Sequence, residues 1–261
     1  MTMPDMQQSP DSRNIPIDKV GVKGIRYPIV VQDKTRQWQH TVARVNMYVD
    51  LPEHFKGTHM SRFIEILNRY HGAVSVDNLE EILAEMKRRL ESSCAHLELD
   101  FPYFIEKAAP VSGARGLMEY QCRMVGSLGE QFDFVLEAAV PVTSLCPCSR
   151  EISEAGAHNQ RSTVRVRIRY RKHVWLEDLI ALVESCASAP VYSLLKREDE
   201  KAVTEQAYAN PMFVEDIVRE VTRRLRQEEK ITWFAVECEN FESIHNHSAY
   251  ALVEDVRPAP G

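Results

Sequence analysis

The sequence predicts an α+β fold made of two successive modules, each laying helices on one face of antiparallel strands. Two observations predict it. Apolar residues alternate with period two in some stretches and recur every three to four residues in others. The order of these stretches, strands then helices then strands, also runs through the chain twice. The repeat lies in the order of elements and not in residue identity, and its halves meet near Gly129. Residues 1–15 then form a disordered arm, 16–129 the first module, and 130–258 a second module holding most of the reactive side chains.

Each element has its own signature. "ARVNMYVDL" (43–51) alternates as a strand. "THMSRFIEILNRYHG" places Met60, Phe63, Ile64 and Leu67 on one helical face, with Gly72 as the stop. "DNLEEILAEMKRRLES" repeats that pattern with Leu79, Ile82, Leu83, Met86 and Leu90, and Asp77 and Glu80 form a capping pair at its start. Strands follow at "AHLELDFPYFIEK" and "GLMEYQCRMVGSL". In the second half "QFDFVLEAAVPV" is a strand, and "STVRVRIRYR" alternates strictly between apolar residues and Arg. Helices follow at "LEDLIALVESCA", "REDEKAVTEQAYA" and "FVEDIVREVTRRLRQ". In the last, Val214, Ile217, Val218, Val221 and Leu225 form one stripe, with Asn210 and Pro211 as cap and first turn. "TWFAVECENF" and "HSAYALVEDV" close the chain as strands.

The ladder Arg165, Arg167, Arg169, Arg171 sets four cations opposite Val164, Val166, Ile168 and Tyr170. Like charges on one strand face need compensation from neighbouring strands or from water. Asp133, Glu137, Glu237, Glu239 and Glu254 lie on candidate neighbours. The face reads as ion-paired or solvated, or as the wall of a water-filled channel.

Composition narrows the function. Apolar content of 44% and charged content of 27% are those of a soluble globular protein. A net charge of −6 argues against nucleic acid or an anionic membrane as partner, since both need a basic surface. The N-terminal "MTMPDMQQSPDSRN" has no apolar core of a signal peptide, and no run of 18 apolar residues occurs. A cytoplasmic protein is expected, with its six cysteines as thiols. Cys94, Cys122, Cys186 and Cys238 lie in apolar or strand-like surroundings and read as core. Cys146 and Cys148, around Pro147, sit among polar residues.

Four stretches hold nearly all the reactive side chains outside apolar patterns: "SLCPCSRE", "AGAHNQRS", "KREDEKAVTEQAYANPMFVED" and "NFESIHNHSAY". A single Cys-x-Cys pair does not make a closed four-cysteine zinc site, so partners for the thiols must come from His and carboxylates. His158 follows the pair by ten residues, and His245 and His247 point the same way if their segment is extended. Each histidine alone reads equally as a polar loop residue. Glu200 sits in a charge run typical of an exposed helix start, and Glu215 beside an apolar stripe, where the helix dipole favours a carboxylate. No GxGxxG, GxxxxGK[ST] or GxSxG occurs, so dinucleotide-fold, P-loop and hydrolase-elbow chemistries lack their motifs.

Together "SLCPCS", "AHNQRS", "LLKREDEKAVTEQAYANPMFVED" and "ESIHNHSAYA", with the N-terminal "VGVKGIRYPIVV", resemble the GTP cyclohydrolase I enzymes of type B. The similarity covers nearly the whole chain after the arm. It implies a tunnelling fold, with ββααββ modules joined into antiparallel barrels around a channel. It also implies a homotetramer with active sites at subunit interfaces. The implied reaction is hydrolysis of GTP with loss of C8 as formate, giving 7,8-dihydroneopterin triphosphate, the first step towards folate. The implied cofactor is a divalent metal (manganese, iron or zinc), with Cys146, His158, Glu200 and His245 as the metal-site residues. Cys146, Glu242 and His247 are the implied catalytic groups, and Glu215 holds the guanine edge. Lys196, Arg197, Arg150 and Arg161, close to the motifs in sequence, are candidates for the triphosphate.

Two rival readings stay open. One is the tunnelling-fold nitrile reductase of queuosine synthesis, in which a cysteine attacks a nitrile and NADPH supplies hydride. The other is a non-catalytic oligomeric binding protein stabilised by a structural metal.

Overall fold

A computed structural model describes residues 7, 9, 11–70 and 74–256. Among them are nine strands and six helices. Along hydrogen-bonded neighbours the strand order is β1 (Ile17–Asp33), β2 (Gln37–Leu51), β3 (Ala95–Ala108), β4 (Arg115–Leu128), β5 (Phe132–Leu145), β6 (Asn159–Tyr170), β8 (Ile231–Phe241), β9 (Ser248–Val256); the short β7 (Ala189–Pro190) pairs with β5. β2 pairs antiparallel with β1, as β6 does with β5 and β8 with both β6 and β9. The chain forms two compact units, residues 1–102 with 123–135 and residues 103–122 with 136–261.

In the first unit β1 and β2 turn one face inward through Tyr27, Ile29, Val31, Val45, Met47 and Val49, all buried. α1 (Met60–Arg69) and α2 (Leu79–Leu90) add Phe63, Ile66 and Leu67, then Leu79, Ile82, Leu83, Met86 and Leu90. α2 buries the stripe its spacing predicts. α1 does not: Met60 and Ile64 are exposed, and Ile66 takes their place. The expected Asp77–Glu80 cap is also absent. Ser75 donates its backbone N–H to Asn78 Oδ1 (3.0 Å) ahead of a single 3-10 turn, while Asp77 accepts from Gln32. The Gly72 stop lies outside the described residues. β1 carries a bulge between Val22 and Ile25. There Gly24 takes φ +78°, and its N–H meets the buried Asn46 Oδ1 at 2.8 Å.

In the second unit β5, β6 and β8 bury Ala138, Val140, Val142, Val164, Val166, Ile168, Phe234 and Val236. α4 (Leu176–Glu184) and α6 (Val214–Leu225) contribute apolar stripes to the core; in α6 it is the predicted one, Val214, Ile217, Val218, Val221 and Leu225. The predicted cap of α6 is wrong by three residues. Phe213 is the N-cap, held by Asp216, whereas Asn210 ends α5 (Arg197–Ala209) and donates its side chain to Ala187 O. The arginine ladder on the other face is paired. Arg165 binds Glu137 (3.0 Å) and Glu237, Arg167 approaches Glu237 at 3.9 Å, and Arg169 stacks on Trp233. Arg171 falls just beyond the strand. Of the four cysteines expected in the core, Cys122, Cys186 and Cys238 are buried and Cys94 is half-buried. Burial pushes the Cys238 thiol up to about 12. No helix among the described residues is long and apolar enough to cross a membrane.

Candidate active site

The site grows from the end of the β5–β6 pair, whose register closes at Leu145 opposite Asn159. The next residue on each side is Cys146 and His158, joined by a hydrogen bond from Cys146 N–H to His158 O of 3.1 Å. Directly opposed residues of an antiparallel pair point to the same face. Two residues twelve apart in sequence thus become neighbours. Between them the chain makes a six-residue helix, α3 (Pro147–Ile152), in a stretch whose sequence showed only polar surroundings for the two thiols. Cys146 is its N-cap, with Pro147 at the first helical position. Cys146 Sγ accepts from Ser149 N–H (3.4 Å), and Ser149 Oγ accepts from His158 N–H (3.2 Å), so one serine ties both residues. Cys148 is exposed.

Three further segments reach this corner. α5 buries Ala207 against Leu145, and Val203 and Ala157 pack on the same cluster. Glu200 lies one turn before Val203 on that helix face and is exposed. Arg150 of α3 stacks on Tyr208 of α5 at 4.8 Å. The start of α6 is stitched to the end of β5, because Met212 N–H donates to Leu145 O (3.0 Å) and Ser144 Oγ donates to Met212 O (2.8 Å). This brings the first turn of α6, with exposed Glu215, to the neighbourhood of Cys146. The β8–β9 loop arrives through Ser243, whose Oγ lies 3.4 Å from His158 Nδ1. In that loop Glu242 is half-buried, and the exposed His245 and His247 stack their rings 5.2 Å apart.

The N-terminus of α5 is held by a residue the charge pattern concealed. Asp199, inside "KREDEK", is fully buried. Its carboxylate accepts from Val111 N–H (2.8 Å), Ser112 N–H (2.8 Å), Ser112 Oγ (2.6 Å) and Lys196 N–H (2.8 Å). Burial raises its pKa, but these hydrogen bonds outweigh it and hold the carboxyl well below the usual carboxylate range. The β3–β4 turn and the helix start that carries Lys196, Arg197 and Glu200 are thereby locked together.

Not every predicted residue converges. Arg161 alternates with Gln160 and Ser162 along β6 and so faces the side of the sheet opposite His158. Lys196 and Arg197 are exposed at the start of α5. Among the described residues no group of three or more His, Cys, Asp or Glu is placed to hold a metal ion. Cys146 and His158 are brought together, while Glu200 and His245 stand on exposed segments nearby.

The model of the family described as type I GTP cyclohydrolase folE2 matches residues 3–251. The chain belongs to this family. Among similar proteins, one named GTP cyclohydrolase FolE2 from Syntrophotalea carbinolica is 69% identical over 99% of both chains. Another of that name, from Geobacter metallireducens, is 66% identical over 97% of both. Among solved structures, uricase from Arthrobacter globiformis superposes with a TM-score of 0.51 at 11% identity, covering 94% of each chain. Urate oxidase from Bacillus sp. TB-90 gives a TM-score of 0.56 at 8% identity, over 92% of this chain and all of that one. At such identities the likeness is one of fold, and the fold of this GTP cyclohydrolase family member is the tunnelling fold.

In this folE2-family chain the polar residues beneath His158 lie inside the motif stretches but carry no role in the sequence reading. Ser144, Gln160, Ser162 and Asn240 occupy positions in register with the apolar core face yet are buried. The available signal was the break in β6, where Gln160 and Ser162 precede Val164, Val166 and Ile168 on one side of the strand. Buried polar groups need partners, so such a break marks a specific network.

Proposed function

We propose that this chain hydrolyses GTP, releases C8 of the purine as formate and yields 7,8-dihydroneopterin triphosphate, the first step of folate biosynthesis. The observation that carries the reading is 69% identity along essentially the full length to a protein named GTP cyclohydrolase FolE2. The pairing of Cys146 with His158 supports it from geometry.

A divalent metal (manganese, iron or zinc) fits the chemistry of the donor set. Cys146 and His158, a sulfur and an imidazole donor, oppose one another at the end of a β-pair, and the exposed Glu200 and His245 supply an oxygen and a nitrogen. A mixed soft and hard set of this kind accepts more than one metal. When bound there, the ion supplies an activated water near neutral pH for attack on C8. The protein's own groups do the rest. Glu215 accepts two N–H bonds from the guanine edge and orients the purine, and leaving that carboxylate unpaired penalises rings without those donors. Glu242 and His247 hold and move protons as the imidazole opens. Lys196 and Arg197, at the start of α5, bind the triphosphate. Arg150, braced on Tyr208, is a further candidate for that role, whereas Arg161 faces away from His158 across the sheet.

The working unit is a homotetramer in the cytoplasm, with active sites at subunit interfaces. Exposure of Glu200, His245 and Glu215 in one chain supports sites that close against a second copy, as do the exposed Ile17 of β1 and Leu252 and Val256 of β9 at the two ends of the strand order. Metal-depleted protein incubated with GTP and, separately, Mn²⁺, Fe²⁺ or Zn²⁺ should release formate and give pterin fluorescence after oxidation. Absence of both products with every ion would refute the assignment.

A further inference from the structure

We infer that Gln160 is a positioning residue that, with Ser144, fixes the proton of His158 on Nδ1 and leaves Nε2 as the only nitrogen able to bind a cation or accept a proton. The inference rests on His158 serving the proposed reaction, and it follows from the direction of each hydrogen bond beneath the ring.

The chain of direction starts at a main-chain carbonyl. Met212 O can only accept, so Ser144 must spend its single hydroxyl proton there (2.8 Å). Ser144 Oγ can therefore only accept from its other two neighbours, Asn240 Nδ2 at 3.2 Å and Gln160 Nε2 at 3.4 Å. With Asn240 so oriented, its Oδ1 accepts from Ser162 Oγ at 2.6 Å, which closes that branch. With Gln160 so oriented, Oε1 is the atom turned to His158, 3.1 Å from Nδ1. An amide oxygen offers only lone pairs, so Nδ1 must carry the hydrogen. Ser243 Oγ, 3.4 Å from the same nitrogen, shares it as a second acceptor.

Ser144 and Ser162 are fully buried, and Gln160 and Asn240 nearly so. Turning either amide over would set its oxygen against the lone pairs of Ser144 Oγ, acceptor against acceptor, so the orientation is held by the whole network. Amide and imidazole orientations are settled by such networks, and here the network has one consistent solution. A histidine that donates from one nitrogen while using the other for a metal is held in the right tautomer and at the right angle by its acceptor. Gln160 supplies that acceptor from two residues further along the chain, just inside β6.

Long-range ¹H–¹⁵N correlation spectra of the metal-free full chain test this directly. The native protein should show His158 protonated on Nδ1. Gln160→Met, which keeps the length of the side chain but offers no amide, should show Nε2 protonation or exchange between both forms. Ser144→Ala, which keeps Gln160 but removes the atom that orients it, should do the same. Zn²⁺ titration should move the His158 Nε2 signal in the native chain, and both variants should bind Zn²⁺ about 10- to 100-fold more weakly. Native His158 carrying its proton on Nε2, or an unchanged tautomer in a folded Gln160→Met chain, overturns the inference whatever the metal does. A native His158 signal unmoved by Zn²⁺ overturns instead the metal reading, and the tautomer signal still decides the inference.

Discussion

Cys146 and His158 owe their meeting to a strand register. Once Leu145 pairs with Asn159, the two following residues must oppose each other, and Ser149 secures both from the intervening turn. Cys146→Ala should therefore abolish formate release. Its loss of stability should be only that of a helix cap, about 1 kcal/mol, or about 2–4 °C in Tm for a chain of this size. Calorimetry beside the formate assay checks both halves. Glu215 is exposed and contributes nothing to the apolar stripe of α6, so Glu215→Ala should leave Tm unchanged while GTP affinity falls at least tenfold. Retained affinity for guanine nucleotides in that variant would exclude Glu215 from purine recognition. Cys146, His158 and Glu215 were legible in the sequence through their motifs. Asp199 was not, because an Asp in a charge run announces nothing until its burial is known, and Gln160 left only the break in the apolar side of β6 as a sign.

Elements succeed or fail by what packs on them. α2 and α6 bury the stripes that their spacing marks, since each lies flat on a sheet face with one apolar side. α1 turns Ile66 inward in place of Met60 and Ile64, an orientation decided by its neighbours and not by its own periodicity. The placing of α5 depends on Asp199. Its pKa in the folded chain is depressed below the ordinary 3.8, so the stability it contributes is complete above that value and is lost as pH falls below it. Asp199→Asn should lower Tm at pH 7, and the gap from the native protein should shrink in acid unfolding curves below about pH 4. The same variant should reduce turnover, because Lys196 and Glu200 ride on the helix start that Asp199 pins. Gly21 is decided by contact: a Cβ there would lie 2.0 Å from Met47 O across the β1–β2 pair. Gly21→Ala should accordingly cost roughly 1–3 kcal/mol by overpacking, measurable by urea unfolding.

At the scale of the whole molecule, the apolar cores of both units are complete without a metal, and the proposed ion sits at the margin of the second. Chelation should therefore stop turnover while far-ultraviolet circular dichroism and Tm stay nearly constant. Unfolding on chelation would favour a structural metal instead. Sedimentation at working concentration should give the mass of four chains. The sequence by itself determined the class of fold, the order of most strands and helices (β1, α3 and β7 excepted), the apolar stripes of α2 and α6 and the motifs of the site, because these depend on periodicity and on residue types close together in the chain. Only the tertiary structure decided which residues meet. Register opposed Cys146 to His158, packing buried Asp199 within a charge run, and the Met212 carbonyl gave the buried polar network under His158 its single direction. Those outcomes depend on partners distant in sequence, and no local pattern encodes them.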